Sequence, residues 1–246
     1  MIGFGNSALR RAPIRRASDM GAHGGVSLPD LRGSDEGLLS GAVPGSAIAG
    51  NASGVVAGTR VATSVGWRPV EMVAPGDRVL TFDNGLQVVT HVERNLLWAS
   101  DRPCPRALWP LHVPAGALGN AQPIVMLPEQ SVAVESDVGE EIYGDPFTLI
   151  PAAALEGFRG IVRRAPESRI MVVTLHFADD EVVFGAAGVL YFCPSDRLAT
   201  LSDLLAGGTG RYSVLSDEDA RFLLGCVDLH ERRNGLWPLD GAACAA

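Results

Sequence analysis

The amino-acid sequence predicts an all-β fold, and three stretches carry that prediction. Between Gly54 and Gly85, Val61, Val70, Val79 and Leu80 fall in short β-branched runs broken by Val65-Gly66, Pro75-Gly76 and Asn84-Gly85. Short runs punctuated in this way read as a meander of three strands with tight turns. Gln87 to Arg94 alternates apolar and polar residues, as a strand with one buried face does. From Arg169 to Pro194, two β-rich runs are joined by Ala178-Asp179-Asp180-Glu181 and followed by Gly185-Ala186-Ala187-Gly188, which reads as a hairpin.

The 246 residues, 47% of them hydrophobic and 20% charged, suffice for one β domain with tails and a sizeable core. A formal charge of −8 and a pI near 5.1 argue against a nucleic-acid binder, which needs basic residues to neutralise phosphates. No window approaches the roughly 18 apolar residues of a membrane span, so a soluble chain is expected. Cys104, Cys193, Cys226 and Cys244 show no C-x-x-C pairing and no metal-ligand spacing. Reduced, mostly buried thiols are therefore expected, and neither a metal nor a cofactor.

Residues 1–50 are rich in Gly, Ala, Ser and Arg and read as a flexible leader. Arg10, Arg11, Arg15 and Arg16 are not followed by an apolar core of about 7 to 15 residues, so no secretory signal peptide is predicted, and a cytoplasmic location is expected over export. Residues 51–197 hold the β domain. Within the first meander, Pro75 presets one backbone angle, Gly76 frees the next, and Asp77 can accept a hydrogen bond from a nearby backbone N–H. His91 reads as an exposed strand histidine, Cys104 as a structural residue between two prolines, and Glu141 to Ala154 as a strand followed by a short helical turn. Arg163-Arg164 beside Glu167 reads as a charged, solvated connection. Residues 198–246 form a C-terminal extension, in which Ser216 and the acids of Asp217-Glu218-Asp219 predict the start of a short amphipathic helix covering an open end of the β domain. Gly235 to Leu239 is expected to dock the last segment.

Read as a pattern, G-T-x-V-x-T-x-x-G-W-x-P-V-E-x-x-x-P-G-D-x-V-L-T-x-D-N-G, from Gly58 to Gly85, resembles the opening block of the Hedgehog/intein (Hint) domains, most of all those of bacteria. The resemblance implies a disc of two pseudo-symmetric β-hairpin subdomains that brings the chain ends to one cleft. It also implies autoproteolytic chemistry, in which a Cys four residues before the Gly of Gly58-Thr59 attacks the peptide bond on its own N-terminal side. Here that position is Gly54, a vacant nucleophile position. Thr59 and Asp77 match family residues that hold the first strands in place.

Residues 111–134 resemble the second block, S-P-x-H-x-V, whose His hydrogen-bonds the scissile amide and protonates the departing nitrogen. At that spacing stands Gln130, in Leu127-Pro128-Glu129-Gln130. Gln130 can donate a hydrogen bond but cannot deliver a proton near neutral pH. Residues 169–194 resemble the third block, a hairpin in which many relatives carry a His where this chain has Asp180.

Three functions follow as expectations. The first is a Hint-like domain without the family's activity, kept as a structural or interaction module, with another protein as partner through the leader or the C-terminal segment. The second is self-cleavage by Ser53, attacking the Ala52-Ser53 bond to release the leader. The third is a hydrolase built on His176 and Asp180, four residues apart on one strand face, which needs a nucleophile such as Ser131 or Ser195 within hydrogen-bond reach.

Overall fold

The computed structural model describes residues 53–98, 102–195 and 212–235. Its fourteen described strands are β1 (Val55–Val56), β2 (Arg60–Thr63), β3 (Gly66–Pro69), β4 (Arg78–Thr81), β5 (Gly85–Val88), β6 (His91–Leu96), β7 (Leu111–Val113), β8 (Ile124–Met126), β9 (Ser131–Glu135), β10 (Phe147–Pro151), β11 (Val162–Arg163), β12 (Met171–His176), β13 (Glu181–Phe184) and β14 (Leu190–Cys193). Two helices, α1 (Asp137–Tyr143) and α2 (Asp217–Asn234), complete the described elements. The strands form three antiparallel sheets in the orders β1-β12-β6, β11-β7-β8 and β10-β9-β14-β13-β4-β2-β3, with β5 added to β4. The fold is β-rich, as expected. The leader and residues 236–246, with Cys244 and most of the 235–239 docking segment, lie outside the described residues.

The first meander forms as its turn residues dictate. A two-residue loop, Ser64-Val65, joins β2 to β3 with Thr63 opposite Gly66. At Pro75-Gly76-Asp77, the Asp77 carboxylate accepts the Ala74 N–H at 2.9 Å and pairs with Arg68 at 3.0 Å. Val70 departs from the strand reading. It begins a 3-10 turn, Val70–Met72, anchored by its own N–H on the Thr59 carbonyl, while the Arg94 guanidinium binds the carbonyls of Glu71 and Val73.

The run from Gln87 to Arg94 is split between two sheets. Val89 donates to the Asp77 carbonyl and Thr90 to that of His176, so the chain leaves the eight-stranded sheet after β5 and enters the three-stranded one as β6. The 169–194 region needs a similar correction. Its two runs do not pair with each other: β12 lies between β1 and β6, whereas β13 pairs with β14 and β4. The hairpin is β13–β14, turning at Gly185–Val189. A Cβ at Gly185 would come within 2.6 Å of Tyr191 Cε2 and 3.1 Å of the Val189 carbonyl, so only glycine lets the buried Tyr191 ring close over this turn.

Glu141 and Ile142 belong to α1, not to a strand, because Ser136 Oγ caps the Gly139 N–H at 2.9 Å and starts a helix just before them. The strand and helical turn foreseen there follow as β10 and the 3-10 turn Ala152–Leu155. Arg163 is not a solvated charge. Its side chain is only 10% exposed, paired with Glu156 at 3.0 Å and bonded to the Ala107 carbonyl, while Arg164 is exposed.

The C-terminal segment is built into the core. Tyr212 donates to Asp83 at 2.6 Å, Val214 bridges Leu149, and the Leu215 N–H donates to the Leu149 carbonyl. Ser216 Oγ then accepts the Asp219 N–H and starts α2 at the predicted cap. Over its 18 residues α2 buries Ala220, Leu223, Leu224 and Val227, the i, i+3, i+4, i+7 stripe of an amphipathic helix. Toward its far end, Glu231 pairs with Arg159, whose guanidinium also binds the Ala117 carbonyl. Leu223 has no exposure and packs with Val138 of α1, whereas Phe222 is 61% exposed. Leu223→Ala should therefore cost about 2–5 kcal/mol by the usual cavity penalty, and Phe222→Ala less than about 0.5 kcal/mol. Urea unfolding followed by far-UV circular dichroism measures both.

Candidate functional site

The site is assembled where β1 enters the fold. Pairing of Val55 with Val173 and Val56 with Val172 lays the start of the chain's β domain along β12. Gly54, one residue earlier, is buried with φ +116°. A Cβ placed there would lie 2.7 Å from Val172 Cγ1, 3.0 Å from Thr174 Oγ1 and 3.1 Å from the Val173 carbonyl. Backbone geometry and packing both reject a side chain at this position.

Gln130 faces the same point. Its Oε1 accepts the Gly54 N–H at 3.0 Å, and its Nε2 donates to the carbonyls of Ser131 and Phe192, each at 2.8 Å. The amide orientation is dictated by its partners, since a backbone N–H can only donate and a carbonyl only accept. Gln130 is itself 3% exposed and held by its backbone, whose N–H donates to Leu127 and whose carbonyl accepts from Ala152. Gln130 and Gly54, the two residues that the sequence resemblance singled out, are thus in direct contact across 76 residues of sequence.

Asp180 is reached through β14. Phe192, whose carbonyl binds Gln130, is three residues before Ser195, whose backbone N–H donates to Asp180 Oδ1 at 2.8 Å. Asp180 therefore closes the open end of the β13–β14 hairpin. It is the main chain of Ser195 that makes this contact. His176 has a carboxylate close by on the adjacent strand β6, with Glu93 Oε1 at 3.4 Å from its Nε2, and its ring lies 5.6 Å from that of His91, its cross-strand partner. His91 is exposed, as its strand position implied. Ser131 contributes its carbonyl to Gln130, and Ser53 precedes Gly54 in a half-buried bend.

The two residues matched to the first block hold strands. Thr59 bonds the buried Tyr191 hydroxyl and accepts the Val70 N–H on its carbonyl, and Asp77 closes its turn. Burial raises the Tyr191 pKa, with the Thr59 bond opposing the rise. Cys193 stands opposite Glu181 in the hairpin, and burial, aided by that carboxylate, pushes its thiol up to about 12. A thiol in that state has almost no thiolate at neutral pH. Cys104, Cys193 and Cys226 are free, and only Cys193 is buried. Among the described residues no group of three or more His, Cys, Asp or Glu side chains is placed to hold a metal ion. No helix among them is long and apolar enough to cross a membrane.

Reasoning from sequence missed Val172, Thr174 and Phe192, the residues that fill and brace the position of Gly54. No local signal marks them, because their role comes from which strand lies beside β1.

The Hint domain family matches residues 54–191, more than half of the chain, and the chain belongs to that family. Among solved structures it is similar to a bacterial intein-like domain from Clostridium thermocellum, at 17% identity and a TM-score of 0.41 over 57% of this chain and 98% of that one. It is similar also to the MchDnaB-1 intein, at 18% identity and a TM-score of 0.36 over 56% of this chain and 98% of that one. No curated protein matches the chain.

The contacts at Gly54 make a separable prediction. Gly54→Ala should destabilise the domain by about 1–3 kcal/mol through backbone strain and the clash with Val172. Adding Val172→Ala should recover about 0.5 kcal/mol or more relative to the sum of the two single changes, because the clash, unlike the strain, is shared between them. Gln130→Leu, which leaves the buried Gly54 N–H without its acceptor, should cost about 1–3 kcal/mol. A double-mutant cycle by urea unfolding reads all of these.

Proposed function

We propose that this Hint domain no longer performs acyl transfer and serves as a structural or interaction module. The observation that supports the reading is the filled space around Gly54. An acyl shift needs a nucleophile whose side chain closes a five-membered ring on the carbonyl of the preceding residue. Gly54 has no such side chain, and Val172 and Thr174 occupy the volume one would need.

Gln130 is consistent with the same reading. By accepting the residue 54 N–H it keeps the hydrogen bond that the family's His makes to the scissile amide. An amide oxygen has no proton to give, so the departing nitrogen would leave without a general acid. The bond to Gly54 then serves to tie β1 to the β8–β9 turn. Cys193, buried and with its pKa near 12, offers no substitute nucleophile. Asp180, at the family's third position, works in this reading as a hairpin clasp.

Intact mass spectrometry of the freshly purified chain, and of the chain held with a millimolar thiol for a day, tests the proposal. The expected result is a single species at the full 25.8 kDa in both samples. Loss of a leader of about fifty residues would instead favour cleavage at Ser53, and replacing Ser53 with Ala would then abolish it. Either outcome is read from the mass alone.

A further inference from the structure

A concavity lies next to β1, with Val56, Ala57 and Gly58 in its lining. It is a groove of about 800 Å³, open to solvent, that contains neither Gly54 nor Gln130. Arg60 of β2, Trp67 of β3, His112 of β7, Ile124 of β8 and Arg164 after β11 reach into it. With Val56 of β1 also in the lining, strands of all three sheets contribute to one surface.

Its charge is unlike that of the chain as a whole. The protein carries −8, yet no Asp or Glu among the described residues lines the groove. Arg60 and Arg164 are both exposed, and neither has a carboxylate partner among the described residues, although Arg68, Arg106, Arg159, Arg163, Arg221 and Arg232 all do. Burial and the nearby Arg164 hold the His112 pKa below its usual value, against a smaller opposing pull from Glu167, which does not line the groove. Arg164 therefore acts on the groove interior, where an incoming carboxylate would meet it. Apolar surface lines the same groove: Trp67 is 48% exposed and Val162 40% exposed.

We propose that this groove binds an extended acidic segment of a partner protein, its carboxylates on Arg60 and Arg164 and its apolar side chains on Trp67 and Val162. The inference rests on the reading of the domain as an interaction module. An extended peptide turns every second side chain toward a groove, so carboxylates and apolar groups that both face it stand two residues apart, and two carboxylates suffice for Arg60 and Arg164. Nucleic acid fits poorly, because two guanidiniums do not offset the repulsion of a net-negative protein for a polyanion. A small free anion would leave the apolar lining uncovered. Guanidinium forks favour planar carboxylates, which agrees with Asp or Glu side chains as the recognised groups.

The test uses the full chain and a fluorescein-labelled nonapeptide that carries glutamate at its second and sixth positions, leucine at its fourth and eighth and serine elsewhere, followed by fluorescence anisotropy at low ionic strength. Saturable binding is expected, weakened about tenfold or more in Arg60→Glu/Arg164→Glu and in the all-glutamine version of the peptide. Arg78→Glu, exposed on β4 and outside the groove, should leave it within about twofold. Absence of binding, equal binding of the glutamine peptide, or an unchanged affinity in the double variant would overturn the proposal. So would displacement by free glutamate at the same carboxylate concentration, which would identify a small-anion site. Circular dichroism of the double variant must match the wild type, and if it does not, Arg164→Gln supplies the comparison with the same expected direction. The mass measurement is independent: no peptide binding with an intact mass removes this groove's role but not the module reading, whereas leader loss removes the module reading itself.

Discussion

The pairing of β1 with β12 is the constraint on which the rest of the site depends. Two residue pairs, Val55 with Val173 and Val56 with Val172, fix the depth at which the chain enters the domain. Because neighbouring strands lie only about 4.8 Å apart, that register also decides what surrounds the residue just before the strand. Gly54 is held among Val172, Val173 and Thr174, and its N–H is turned toward Gln130. One register thus sets both the lack of space for a side chain and the direction of the Gly54 N–H.

Gln130 is the complementary half of this arrangement. A buried amide is costly unless its donors and acceptor are all used, and here all are: one acceptor for Gly54 and two donors for Ser131 and Phe192. The side chain joins β1, β9 and β14, which come from three distant parts of the chain. Asp180 repeats the device on a smaller scale by holding Ser195 at the end of β14. The polar side chains of Gln130 and Asp180 are both engaged in holding strands together. The same economy is seen at the C-terminus, where Tyr212, Leu215 and the buried stripe of α2 complete the core instead of trailing from it.

Much of this was legible in the residues. Pro75-Gly76-Asp77, the Thr63 to Gly66 turn and the Ser216 cap act through atoms only a few residues apart, so their outcome follows from local chemistry. The resemblance named residues 54 and 130 together as candidate site residues, and the two share a hydrogen bond. The errors share a cause. Val70, the split after Val88 and the false pairing of the 171–176 and 181–184 runs all concern where one strand stops and which neighbour it takes. Alternation tells that a segment is extended, but any extended segment offers the same ladder of N–H and C=O groups to every candidate neighbour.

By itself, then, the sequence determined the β-rich class, the turns and the capped C-terminal helix. Only the tertiary structure decided that Gly54 is enclosed by β12, that both polar atoms of the Gln130 side chain bond backbone, that Arg163 is held in an ion pair with Glu156, and that Arg60, Trp67, His112 and Arg164 share one groove. The physical reason is the range of the interactions. Turns and caps are closed by neighbours along the chain, whereas enclosure, ion pairing and a common groove depend on side chains brought together from strands that may be seventy residues apart in sequence, as Gly54 and Gln130 are.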